Sequence, residues 1–225
     1  MATIADNLQA VRARIASAAR AAGRDPATVT LLAASKTHSI ARIAEAQAAG
    51  QRAFGENYVQ DALPKIDALP GLEWHLIGPL QSNKARIAAE RFDWVQTVDR
   101  EKIAGRLSEH RPAHRPALNV LIQVNVSGEG TKSGVAPQEV VVLAKTIAAL
   151  PRLRLRGLMA IPRAGMVCEF SKLKQLFDDL KELFALDTLS MGMSDDFEAA
   201  IAEGSTMVRV GTAIFGQREK EKSTA

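Results

Sequence analysis

The stretch Val29-Thr30-Leu31-Leu32-Ala33-Ala34-Ser35-Lys36-Thr37-His38 is an apolar run of strand character that closes on a serine and a lysine. The amphipathic pattern Ile40 to Ala49 follows at once. A strand feeding a helix through a short polar turn is the first half of a βα repeat. In an open dinucleotide-binding sheet that first turn carries GxGxxG, and Ser35-Lys36-Thr37-His38 has none of those glycines. The turn argues against a dinucleotide site, and the number of repeats must decide the architecture.

Outward from this turn the same rhythm continues without a Ser/Gly-rich linker. Candidate strands are Val29 to Ser35, Arg52 to Gly55, Glu73 to Gly78, Asp93 to Val98, Ala117 to Asn125, Leu153 to Ile161, Asp187 to Met191 and Met207 to Gly211. Helical patterns lie between them, such as Ile40 to Ala49, Ser82 to Arg91, Arg100 to His110, Gln138 to Leu150, Phe170 to Phe184 and Asp195 to Ala202, and each strand is followed by one. Eight such units suit a closed (β/α)8 TIM barrel, whereas a doubly wound sheet usually has about five to seven strands. A single domain over residues 1–225 is expected. The apolar series Ile4, Leu8, Val11, Ile15 predicts an extra N-terminal helix, Ile4 to Ala22, outside the barrel or across its bottom. The charged tail Arg218 to Ala225 is expected to fray.

Composition narrows the function classes. The 225 residues are 47% hydrophobic, enough for one sizeable core. Lys and Arg number 29 against 25 Asp and Glu, and they are scattered among acids, which speaks against a nucleic-acid partner. The single cysteine, Cys168, cannot form an internal disulfide, and no signal-peptide pattern opens the chain, so a cytoplasmic setting is expected. No membrane span is expected either, since the run Val140 to Ala144 meets Lys145 at once. His38, His75, His110 and His114 show no paired ligand spacing, so no metal is expected.

Barrel chemistry sits where the strands end. Lys36 closes strand one, and two readings stand: an amine in the barrel mouth whose pKa partial desolvation lowers toward nucleophilic use, or a lysine reaching solvent. Ser190-Met191-Gly192-Met193-Ser194-Asp195 turns strand seven into a helix start with Ser194 at the cap. Its free amides suit an anion; the alternative is an ordinary capped helix, since Asp195 and Asp196 beside it repel phosphate unless they point away. Val208-Arg209-Val210-Gly211-Thr212-Ala213 ends strand eight with another glycine and hydroxyl. Barrels often bind phosphate between the loops after strands seven and eight. Closure makes strand eight the neighbour of strand one, so Arg209 and Lys36 can address one ring. The loop Gly128 to Gly134 lacks the glycine that a Walker sequence needs before its lysine, because Thr131 stands there. Lys132 remains either a second, surface-side aldehyde acceptor or a solvated lysine. Ser82-Asn83-Lys84 reads as a helix start or as an edge that meets a partner enzyme.

The residues also carry a resemblance over nearly the whole chain. Ser35-Lys36-Thr37, Phe54-Gly55-Glu56-Asn57-Tyr58-Val59-Gln60, Trp74-His75-Leu76-Ile77-Gly78-Pro79-Leu80-Gln81-Ser82-Asn83-Lys84, Gly157-Leu158-Met159-Ala160-Ile161-Pro162, Gly192-Met193-Ser194-Asp195-Asp196 and Arg209-Val210-Gly211-Thr212 stand here in order. In these motifs the chain resembles the pyridoxal phosphate homeostasis proteins, also described as proline synthetase co-transcribed or alanine-racemase-like barrel proteins. The resemblance implies a lone barrel like the N-terminal domain of alanine racemase, with pyridoxal 5′-phosphate as a Schiff base on Lys36. It further implies phosphate contacts from Ser194, Gly211 and Thr212, ring contact from Arg209, and Asn57 in the pocket. The segment Arg163 to Glu169 departs from the family's usual loop.

An arginine at the pyridine nitrogen disfavours ring protonation and so weakens the ring as an electron sink. Related racemases also take a tyrosine from an extra β-domain, which this chain is expected to lack. Tyr58, the only tyrosine, reads as a packed aromatic or as a base. The implied function is buffering or delivery of the cofactor in vitamin B6 homeostasis, by a monomer or weak dimer with apo pyridoxal-phosphate enzymes as recipients. The alternatives are a weak amino acid racemase using Lys36 and Tyr58, and a barrel aldolase whose lysine takes a sugar phosphate.

Overall fold

In the computed structural model, residues 2–129, 133–163 and 166–217 are described. The strands are β1 (Thr30–Ala34), β2 (Ala53–Glu56), β3 (Glu73–Leu76), β4 (Trp94–Val98), β5 (Leu118–Gln123), β6 (Leu153–Met159), β7 (Thr188–Ser190) and β8 (Met207–Val210). All pair in parallel in chain order, and β8 returns to β1 with Leu32 opposite Arg209, so the sheet is a closed barrel. Each strand is followed by a helix: α2 (Ile40–Ala48), α3 (Val59–Ala68), α4 (Ala85–Arg91), α5 (Glu101–His110), α6 (Val140–Ala148), α7 (Val167–Phe184), α8 (Phe197–Ala202) and α9 (Thr212–Phe215). This is the (β/α)8 barrel that the count of repeats predicts.

The extra helix α1 (Ile4–Ala21) begins with a capping box, in which the Thr3 hydroxyl accepts from the Asp6 amide and the Asp6 carboxylate accepts from the Thr3 amide. Its buried stripe Ile4, Leu8, Val11, Ile15 and Ala19 packs against α2, α8 and α9, outside the barrel and over the β8–β1 seam. No helix among the described residues is long and apolar enough to cross a membrane.

Two helices carry features of their own. The helix α3 carries Pro64 inside it, at a cost to its hydrogen-bond ladder. Val59 and Ala62 nonetheless give it a buried face, joined by the buried Lys65. The helix α7 starts at Val167, ahead of the expected Phe170. There the buried Glu169 carboxylate, in the first turn, accepts from both the backbone N–H and Nε of Arg163, at 2.9 Å each; residues 164–165 of the segment after Pro162 lie outside the described residues. The charged tail from Arg218 and the loop residue Lys132 lie outside the described residues.

Successive strand residues alternate between the lumen and the helices. The lumen holds two small apolar clusters, Leu32, Ala34, Ala53, Ile77, Met207 and Trp94, Leu121, Met159. The main core lies between the outer strand face and the helices.

Candidate functional site

At the C-terminal ends of the strands a cavity of about 290 Å³ opens. Lys36, Asn57, Ser194, Arg209, Gly211 and Thr212 all line it. Its walls are completed by Ala34, His38, Ile77, Gly78, Pro79, Ile161, Met193, Asp195 and Gly216. Six residues far apart in sequence converge here because β1, β2, β7 and β8 end on one rim of the closed barrel.

On the β1–β2 side, Lys36 is half-buried just past the end of β1. Thr37 beside it takes φ 67, a conformation that a β-branched residue adopts only when its surroundings force it. Ser35 holds the turn from behind, its carbonyl accepting from the His38 amide at 3.1 Å and from Lys65 Nζ at 3.1 Å. Lys65 Nζ also donates to Glu56 Oε1 at 2.8 Å, and the Ser35 hydroxyl donates to the same oxygen at 2.5 Å. Burial pushes the Glu56 carboxyl up, against the opposing pull of Lys65 and Ser35. His38 stacks on Phe215, with ring centroids 4.6 Å apart, and so ties this rim to the end of α9.

On the β7–β8 side, Gly192 takes φ +91, and a Cβ there would lie 2.5 Å from Ala200 Cβ. That turn needs glycine for conformation and space. The expected cap at Ser194 is corrected: α8 starts at Phe197 with Asp196 in the cap position. Asp196 Oδ1 accepts from the Met193 amide at 2.6 Å, which pulls the turn tight and leaves Ser194 in the loop ahead of the helix. The Ser194 hydroxyl accepts from the Gly211 amide at 3.3 Å and links the two loops. Gly211 lies against β1, where a Cβ would come 2.9 Å from the Ala34 carbonyl oxygen.

Arg209 is buried at the cavity floor. Its Nη1 donates to the Ser190 hydroxyl and its Nη2 to the Ala160 carbonyl, both at 2.8 Å. Burial brings its pKa down to about 10, with Asp196 opposing, and it stays cationic at neutral pH. Three of the five guanidinium donors remain beyond these two bonds.

Tyr58 stands apart. It is 61% exposed, which corrects the packed aromatic expected from the sequence, and it is not among the cavity's lining residues. The sequence reading passed over His38, Ser190 and the Glu56–Lys65 pair. Position alone flags His38, two residues past the strand-end lysine; the inward turn of Lys65 gives no local signal.

With the geometry in place, the comparisons with known proteins are specific. Residues 7–219 match the family model of the alanine racemase N-terminal domain. The pyridoxal phosphate homeostasis protein of Pseudomonas aeruginosa is 60% identical over 226 residues, covering 97% of each chain. The chain belongs to the pyridoxal phosphate homeostasis protein family. Among solved structures, PipY of Synechococcus elongatus with PLP bound superposes with a TM-score of 0.81 at 37% identity, over 95% of this chain and 100% of that one. Alanine racemase of Clostridium difficile shares the fold at a TM-score of 0.71 and 15% identity, and this chain spans 58% of it. The homeostasis family thus keeps the racemase barrel.

Proposed function

We propose that the chain binds pyridoxal 5′-phosphate as a Schiff base on Lys36 and serves vitamin B6 homeostasis by holding the cofactor and passing it to apo-enzymes. One observation carries the reading: the strand-end amine, the buried guanidinium and the hydroxyl- and glycine-bearing loops line one cavity of about 290 Å³ in a chain of this family. The donor set suits the group. Lys36 answers the aldehyde, Arg209 the pyridine nitrogen, and Ser194, Thr212 and the Gly211 amide the phosphate, with Asn57 beside the ring. Among the described residues, the one acid lining the cavity, Asp195, sits at the exposed edge. When bound, the cofactor supplies an electrophilic aldehyde and a ring that accepts electrons.

Holding is favoured over turnover by Arg209. With a pKa near 10 it donates a hydrogen bond to the ring nitrogen without handing over its proton, and an unprotonated ring accepts electrons poorly. Tyr58, away from the cavity lining, offers no second acid or base there.

Borohydride reduction of the cofactor-loaded protein followed by peptide mass mapping tests the assignment. The adduct is expected on Lys36 and absent in Lys36→Ala; an adduct on Lys84 or Lys132 would overturn it. Incubating the loaded protein with apo-enzymes should restore their activity, and robust amino acid racemisation lost in Tyr58→Phe would overturn the holding role.

A further inference from the structure

Among the buried polar side chains of the lumen, four lie in one series: His75 on β3, Gln96 on β4, Ser190 on β7 and Arg209 on β8. They connect. Beyond the Arg209–Ser190 bond, the Ser190 hydroxyl donates to Gln96 Oε1 at 2.7 Å, Gln96 Nε2 lies 2.9 Å from His75 Nδ1, and His75 Nε2 lies 2.8 Å from Glu73 Oε1. The Glu73 side chain is 47% exposed at the start of β3, at the opposite end of the barrel from the cavity.

Proton counting gives this chain one direction. The Glu73 carboxylate accepts only, so His75 carries its proton on Nε2. Burial, the largest influence, lowers the His75 pKa against the opposing effects of Glu73 and Asp93, so the ring is neutral and Nδ1 is an acceptor. Gln96 therefore turns its amide nitrogen to His75 and its oxygen to Ser190. A second contact agrees: the same nitrogen lies 3.1 Å from Met207 Sδ, an acceptor. The Ser190 proton then points to Gln96, and the hydroxyl offers Arg209 a lone pair. Trp94 stacks on His75 at 5.0 Å and 8°, fixing the ring plane. Every donor points from the guanidinium toward the carboxylate, an order in which each bond polarises the next.

We propose that Gln96 and His75 are positioning residues for the cofactor ring, because the chain from Glu73 to Ser190 fixes the direction in which Arg209 presents its guanidinium to the cavity. This rests on the reading that Arg209 meets the ring nitrogen. Cutting the chain at Gln96 leaves the Ser190 hydroxyl free to rotate and donate elsewhere, and Arg209 loses its fixed acceptor.

The test has two independent parts. In cofactor-free protein, long-range ¹H–¹⁵N correlation should show His75 as the neutral Nε2–H form at pH 7; an Nδ1–H form or an imidazolium would overturn the proposal without any variant. In loaded protein, Arg209→Lys should move the visible absorption band, and Gln96→Leu should move it in the same direction and weaken pyridoxal phosphate binding by about 2- to 10-fold, one lost hydrogen bond. Gln96→Glu should raise the His75 pKa by calling for a proton on Nδ1 while keeping the band nearer to wild type. If Arg209→Lys leaves the band unmoved, the ring assignment of Arg209 fails. If Arg209→Lys moves it and Gln96→Leu keeps wild-type band and affinity, the positioning role alone fails, since a merely structural residue would lower stability without touching the spectrum.

Discussion

The two rims of the cavity are built on opposite principles. The β1–β2 rim is made of side chains: Lys65 and Ser35 converge on Glu56 behind Lys36, in a place where Glu56 is fully buried. The β7–β8 rim is made of backbone: Gly192 and Gly211 set its shape, and the Asp196 and Ser194 side chains serve it by accepting from backbone amides, of Met193 at 2.6 Å and of Gly211 at 3.3 Å. A rim held by buried charge is costly to break and keeps an amine where a reaction needs it. A rim held by close backbone approach tolerates the loss of a hydroxyl but not the arrival of a Cβ.

The largest effect should come from breaking the charged rim. Lys65→Met removes the cation beside a buried carboxylate, and losing one partner of a buried pair costs about 3 to 5 kcal/mol. Chemical denaturation should read this loss, and Glu56→Leu added to Lys65→Met should recover most of it. If the double variant is as unstable as the single one, the rim is held by packing, and the contrast between the two rims disappears.

On the other rim the order of effects should invert the usual importance of side chains. Gly211→Glu drives a Cβ toward the Ala34 carbonyl and adds a negative charge beside the anion loops, so pyridoxal phosphate binding should fall by more than about 100-fold. Ser194→Ala should cost only about 10-fold, because the Gly211 amide it frees can turn to the phosphate. Pyridoxal, without a phosphate, should bind weakly and respond little to Ser194→Ala. Equal affinities of wild type for pyridoxal and its phosphate would move the anion site elsewhere.

The contrast also explains what the sequence disclosed. The strands were legible because β-branched and apolar runs recur at barrel spacing, and all eight expected runs contain or overlap the strands found. Gly211, Thr212 and Arg209 were legible because a strand end followed by glycine marks a loop at the barrel mouth. The Glu56–Lys65 pair was not: nothing local says that Lys65 turns inward. Gln96 and His75 were half-legible, since a polar residue at lumen parity in an apolar strand asks for a partner, but that partner lies on another strand. Ser194 was misplaced as a cap because Asp196, two residues later, competes for the same turn.

Beneath both rims, His75 adds a pH dependence of its own. Its folded-state pKa lies below the ordinary 6.5, so in falling pH the unfolded chain takes a proton that the folded one refuses. Stability should therefore decline as pH drops below about 6.5, by at most about 1.4 kcal/mol per pH unit. Glu73, whose pKa is lowered chiefly by the His75 hydrogen bond, adds its loss only below its ordinary 4.5. His75→Gln keeps a donor and an acceptor without titrating, so its denaturation midpoint should be flatter than wild type between pH 6.5 and 5. Parallel curves would show that His75 is not the group responsible.

The smallest effect marks where the charged rim ends. Tyr58 directly follows Asn57, which lines the cavity, yet its side chain is 61% exposed and α3 begins beyond it without a side-chain cap bond. An exposed residue away from such features shifts stability by about 0.5 kcal/mol or less. Tyr58→Phe should therefore leave the denaturation midpoint, the visible absorption band and the pyridoxal phosphate affinity at wild-type values, while Asn57→Ala, one residue earlier, should weaken binding by about 2- to 10-fold through a lost hydrogen bond. Titrating both variants side by side measures how sharply the rim stops. A Tyr58→Phe loss as large as that of Asn57→Ala would extend the side-chain rim past β2 and bring the tyrosine into the site.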